Sequence, residues 1–150
     1  MEETVETRLE RLGIELPEAG KPAANYTNAV RVHNLLFLSG KGPAGKPEGK
    51  LGIEFSTAEG YRYARSAGIE MLAVLKQELG GLDKVQRVVK LQGFVNADAG
   101  YREHHLVLNG CSDLMRDVFG ERGVHSRSVM GASSLRDNLP LVIDSIFECS

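Results

Sequence analysis

The stretch Gly123–Cys149, GVHSRSVMGASSLRDNLPLVIDSIFEC, reads as two β-strands joined by a polar turn. In the second strand, LPLVIDSIFE, alternation puts Leu139, Leu141 and Ile143 on one side of the pleat and Val142 and Ile146 on the other. A strand that is apolar on both sides must be covered on both. In the first strand Arg127 stands between Ser126 and Ser128, ahead of the small residues Gly131, Ala132 and Ser133. Such a charge faces water, pairs with an acid, or awaits an anionic ligand. Small neighbours leave room for a ligand, and a guanidinium suits a carboxylate because it binds bidentately.

Upstream of this pair, the period of apolar residues changes several times. Residues 1–22 form a polar extension with a short helix over Val5–Leu12, and residues 23–150 form the domain proper. Ala29–Val32 and Leu35–Ser39 read as a hairpin, with His33-Asn34 as its turn and Asn supplying a positive φ. From Ser56 the apolar residues recur at three and four: Tyr61, Ala64, Gly68, Met71, Leu72, Leu75 and Leu79. Ser56 and Glu59 have capping-box spacing, and Gly80-Gly81 ends the helix. The segment KVQRVVKLQGFVN is a strand whose imperfect alternation predicts a bulge near Gly93. Asp98 is then placed to cap a second helix through Leu108, Cys111, Met115, Val118 and Phe119, ended by Gly120 and Gly123.

The resulting order, β-β-α-β-α-β-β, is a two-layer α+β domain with helices for one face of the sheet only. The other apolar face of the last strand therefore calls for a second subunit. At 150 residues the chain suffices for one core without disulfides, and two cysteines, Cys111 and Cys149, are too few for a disulfide framework. A net charge of −2 offers no basic face for nucleic acid. No apolar run reaches the roughly 20 residues that span a bilayer, and the acidic N-terminus lacks the apolar core of a secretory signal. These features point to a cytoplasmic protein.

Other motifs carry less. GKGPAGK, Gly40–Lys46, has phosphate-loop spacing, but Pro47 stands where a magnesium-binding Ser or Thr belongs and no helix follows at once; it reads as a loop. His33, His104, His105 and His125 show no metal-ligand spacing, so neither a metal nor a cofactor is expected.

With Arg127 in place, two segments, NYTNAVRVHNLLFLSGKGP and HSRSVMGASSLRDNLPLVIDSI, resemble the Rid/YjgF family of reactive intermediate deaminases, also called endoribonuclease L-PSP domains. The likeness runs over about Ala24 to Phe147. It implies a chorismate-mutase-like fold and a homotrimer around a central β-barrel, with a site at each subunit interface. The implied activity is hydrolysis of imines or enamines to 2-oxo acids and ammonia. By position, the resemblance makes Arg127 the clamp for the substrate carboxylate. It assigns substrate contacts to Tyr26, Ser39, Gly40 and Asn109, and to Val129 where many members carry a cysteine. One departure stands out. Many members have E-x-E in the last strand; here Val142 takes the place of the first acid, and Asp144 falls at the second, roughly 7 Å along the strand. That loss predicts slow or substrate-restricted turnover. It also leaves open a non-catalytic binder of small carboxylates, or a hydrolase for one particular catabolic enamine or carbamate. A nuclease is disfavoured by charge.

Overall fold

The computed structural model describes residues 3–150. Along the chain lie α1 (Val5–Arg11), β1 (Ala29–Val32), β2 (Leu35–Lys41), α2 (Thr57–Leu79), β3 (Val85–Asn96), α3 (His104–Phe119), β4 (Ser126–Ala132) and β5 (Leu141–Cys149). The strands form one sheet in the order β1-β2-β5-β3-β4. All neighbours are antiparallel except β3 and β4, which run parallel because α3 carries the chain back between them. This is the expected α+β order.

Both long helices form for reasons visible locally. The Ser56 hydroxyl accepts from the Glu59 amide while the Glu59 carboxylate accepts from the Ser56 amide, closing the capping box, and Gly80 ends α2 at φ 81°. The buried stripe of α2 includes Gly60, Ala64, Ala67 and Gly68, followed by Met71, Leu72 and Leu75. Its small residues let α3 approach closely. A Cβ on Gly110 would lie 1.9 Å from the Tyr61 carbonyl oxygen, so the two backbones nearly touch there. Both helices lie on one face of the sheet, over Leu36, Leu38, Leu91, Ile143 and Phe147. The segment before β1 joins the same core through Val5 and Leu9 of α1, and the Val5 amide donates to Asp83.

Three local expectations need correction. The bulges of β3 lie between Val85 and Arg87 and between Val88 and Lys90, whereas Gly93 pairs regularly with Ile143. Gly93 is there to admit α3, since a Cβ would lie 3.0 Å from Leu108 Cδ1. Asp98 does not cap α3, which starts at His104. The Asp98 amide donates to the Leu51 carbonyl and its own carbonyl accepts from Tyr101, so long-range pairing holds this segment in a turn. In the first hairpin the positive φ, 54°, belongs to His33 rather than Asn34. The Gly40–Lys46 stretch leads from β2 into a loop, and α2 begins only at Thr57.

The opposite face of the sheet has no helix. Register puts Val30, Phe37 and Ile146 in one row and Val142, Phe94 and Met130 in another. Val30, Phe37 and Met130 keep 54%, 41% and 42% of their surface exposed, and the polar row Asp144, Gln92 and Ser128 separates the two apolar rows.

Candidate functional site

Arg127 lies on the edge strand β4, and its side chain turns to the helix side. Its Nη1 donates to Ser112 Oγ at 3.0 Å and its Nη2 to the His105 carbonyl at 3.1 Å, both on α3. Both acceptors are uncharged. Among the described residues no carboxylate forms an ion pair with Arg127. The guanidinium is thus fixed by two neutral acceptors and not paired with an internal acid among the described residues. Positions 105, 109 and 112 share one helix face, so Asn109 stands between the two groups that hold the arginine. Val129 follows on the same face of β4, beside Gly93.

The other expected site residues lie elsewhere. Ser39 and Gly40 belong to β2, and Tyr26 to the segment preceding β1. Ser39 Oγ donates to the Thr27 carbonyl at 2.6 Å, and the Tyr26 hydroxyl accepts from the Ala23 amide at 3.2 Å. Between β2 and β4 run β5 and β3, so within one chain Ser39 and Gly40 are three strand spacings from Arg127, about 14 Å. The expected site residues therefore fall into two groups, Arg127, Val129 and Asn109 at one edge of the sheet and Tyr26, Ser39 and Gly40 towards the other.

Strand β2 is irregular between Leu38 and Lys41, and Asp144 of β5 falls opposite this Ser39–Gly40 irregularity. Val142 packs beneath it: a Cβ on Gly40 would lie 2.5 Å from Val142 Cγ1. Val142, named from sequence as replacing an acid, thus lies against Gly40, and Asp144 is the carboxylate opposite the bulge. Burial pushes the Asp144 carboxyl above its ordinary range, with Lys90 pulling it partly back. A carboxyl raised by folding costs stability once ionised, and the cost disappears when pH falls below the unfolded value. Asp144→Asn is therefore expected to raise the melting temperature near pH 7, and the gain should vanish near pH 3, below the ordinary carboxylate pKa of about 3.9. Thermal unfolding of both proteins at the two pH values checks this.

Two side chains linked to Arg127 escaped the sequence reading. Ser112 links to His125, whose Nε2 lies 2.9 Å from Ser112 Oγ, while His125 Nδ1 lies 2.6 Å from the Gly123 carbonyl. The signals were present: Ser112 is a hydroxyl on the apolar stripe of α3, and His125 precedes Arg127 by two, hence on its side of the strand. Cys111 is fully buried, and burial pushes its thiol up to about 12, so it is no nucleophile. Among the described residues no group of three His, Cys, Asp or Glu could hold a metal ion, and no helix is long and apolar enough to cross a membrane.

A five-stranded mixed sheet covered on one face by two long helices defines the chorismate-mutase-like class of α+β proteins. The chain belongs to the family described as "YjgF/chorismate_mutase-like, putative endoribonuclease", whose model matches residues 6–146. Protein TCP17 of Trypanosoma cruzi is 38% identical over 149 residues, covering 96% of this chain and 93% of its own. Among solved structures, Atu1372 of Agrobacterium tumefaciens, of unknown function, superposes with a TM-score of 0.90 at 40% identity, over 97% of this chain and 92% of that one. A "putative endoribonuclease" from Shewanella oneidensis MR-1 gives a TM-score of 0.94 at 34% identity, over 97% and 99%.

Proposed function

We propose that the protein hydrolyses imines or enamines of small carboxylates to 2-oxo acids and ammonia, in sites completed between copies of the chain. The observation that carries this is the Arg127 guanidinium, fixed by two neutral acceptors and left without an acid among the described residues. A bidentate carboxylate supplies the missing charge. Two further features support shared sites. Of the residues the family resemblance assigns to one pocket, Ser39 and Gly40 lie about 14 Å from Arg127 within one chain. The helix-free face of the sheet exposes the apolar side chains of Val30, Phe37 and Met130, which an oligomer interface would bury. A ring of three copies, facing their sheets inward and joining β4 of one to the β2 side of the next, satisfies both.

In such a site Arg127 anchors the carboxylate and sets the adjacent C=N carbon against a bound water, so positioning supplies much of the effect. The water oxygen adds to the carbon as the nitrogen takes up a proton. A second proton transfer then breaks the C–N bond, releasing ammonia and leaving the 2-oxo acid. With Val142 in place of an acid, Asp144 is the carboxylate nearest in register to the Ser39–Gly40 irregularity, and its raised pKa suits proton exchange. The net charge of −2 disfavours the endoribonuclease activity by which relatives are described.

The test generates imines in place with an amino acid oxidase and traps survivors with semicarbazide. Less trapped imine in the presence of the protein is the expected result, over at least some amino acids. The Val142 substitution favours one rival, a carboxylate-binding protein without turnover. Unchanged trapping for every amino acid, together with measurable 2-oxo acid binding, would establish that rival instead.

A further inference from the structure

The hydrogens of the Arg127 network can be assigned by elimination. The Gly123 carbonyl only accepts, so His125 Nδ1, at 2.6 Å, carries a hydrogen. In the neutral ring Nε2 is then an acceptor, and the Ser112 hydroxyl, 2.9 Å away, donates to it. That leaves the Ser112 oxygen lone pairs directed at Arg127 Nη1, 3.0 Å distant. The chain of donors runs one way, from Arg127 through Ser112 and His125 to the Gly123 carbonyl. A protonated His125 reverses its middle. Nε2–H would then donate to Ser112 Oγ, which already receives Arg127, and the hydroxyl hydrogen would lose its acceptor. Two cations would also share one oxygen.

We infer that Ser112 and His125 are positioning residues for Arg127, and that they make the carboxylate clamp sensitive to pH through the charge on His125. The inference rests on the reading of Arg127 as that clamp, and it adds a condition: the clamp is set only while the imidazole is neutral. The groups around the imidazole agree. Burial lowers its proton affinity first of all, the Gly123 carbonyl opposes this, and Arg127 of β4 and Arg116 of α3 lower it further. From β3, Arg87 Nη2 donates to the neighbouring Val124 carbonyl at 3.4 Å. The buried Cys111 thiol of α3 carries no charge to oppose them. Among the described residues no carboxylate pairs with His125. The sign follows. The folded-state pKa lies below the ordinary value of about 6.5, the binding form is the neutral one, and binding is lost as pH falls through the folded value.

The experiment titrates pyruvate against the intact protein by calorimetry at intervals over roughly pH 5 to 8, the range in which a histidine changes charge. The expected affinity is flat at the upper end and then falls, approaching about tenfold per pH unit once His125 is protonated. His125→Gln, whose side-chain carbonyl can still accept from Ser112 but does not titrate, should lose the pH step, giving one affinity across the range. Ser112→Ala should weaken binding throughout and flatten the profile. Nitrogen NMR provides a reading independent of any ligand. It should show the Nδ1–H tautomer of His125 and slowly exchanging Arg127 guanidinium protons, lost as His125 protonates. A pH step unchanged in His125→Gln would overturn the inference, as would Arg127 protons that stay protected through the His125 titration or the opposite tautomer. Absence of pyruvate binding alongside the expected NMR result would count against the clamp reading while upholding the network.

Discussion

Arg127→Ala is expected to fold and assemble as the wild type does and to lose carboxylate binding and turnover together. The substitution leaves Ser112 Oγ and the His105 carbonyl without their arginine donor, but the core, built on α2, α3 and β5, does not include this side chain. Removing one partner of a charge-assisted pair costs about 2–5 kcal/mol, so the apparent affinity for a 2-oxo acid should fall by roughly 30-fold to several thousand-fold. Arg127→Lys should rescue little, because an ammonium is a point charge and cannot present the planar fork. Normal turnover by Arg127→Ala would end its assignment as the clamp. The separation of Ser39 from Arg127 within one chain makes the prediction sharper, if the proposed shared site holds both. Ser39→Arg should block the β2 half of each site while leaving Arg127 in place. Co-refolding equal amounts of the two inactive variants then gives intact sites wherever a Ser39→Arg chain lends its Arg127 to the Ser39 half of an Arg127→Ala chain. With two independent halves in a cyclic assembly, about a quarter of the sites should recover. A site contained within one chain would recover none, and this single mixing experiment separates the two arrangements.

What the sequence disclosed depended on how local the cause was. The two-sided β5 was legible because strand alternation has a period of two, and Val142 and Ile146 face away from the helices as that period requires. The capping box at Ser56 and the left-handed Gly80 were legible because each acts within four residues. Gly93 was misread because a glycine that interrupts alternation looks the same whether the strand bulges or a helix presses on it; only the position of Leu108 decides. Asp98 was misread because its segment is governed by Leu51, 47 residues earlier in sequence, whose carbonyl accepts from the Asp98 amide. The site divides along the same line. Arg127 stood out through its small neighbours, and His125 and Ser112 carried weak signals. The separation of Tyr26, Ser39 and Gly40 from Arg127 follows from β5 entering the sheet between β2 and β3. No local pattern encodes that insertion.

The largest effect on stability is expected at Gly110, a residue outside the chemistry. It is buried on α3 at the crossing with α2, and a Cβ there would lie 1.9 Å from the Tyr61 carbonyl oxygen, 2.9 Å from its carbon and 3.1 Å from the Arg65 amide nitrogen. All three are helix backbone, so no flexible side chain can move aside. Gly60 and Gly68 differ, since a Cβ there would first meet the side chains of Leu51 and Val107, or of Leu114 and Cys111, which can adjust in part. Helix propensity alone would favour Gly110→Ala by roughly 1 kcal/mol, because alanine is the better helix former. Overpacking opposes it, typically by 1–3 kcal/mol and by more where backbone must shift, so the expected net change is a loss of about 2 kcal/mol or more. For a chain of this size that corresponds to a fall in melting temperature of about 4–8 °C. Separating the helices at this point would also move α3, whose His105 carbonyl and Ser112 hydroxyl orient Arg127. Gly110→Ala should therefore weaken carboxylate binding with no change to any group that touches the ligand. Thermal unfolding and pyruvate binding measured on the same preparation test both parts. A variant as stable as the wild type would show that α2 and α3 do not cross as closely as these distances require.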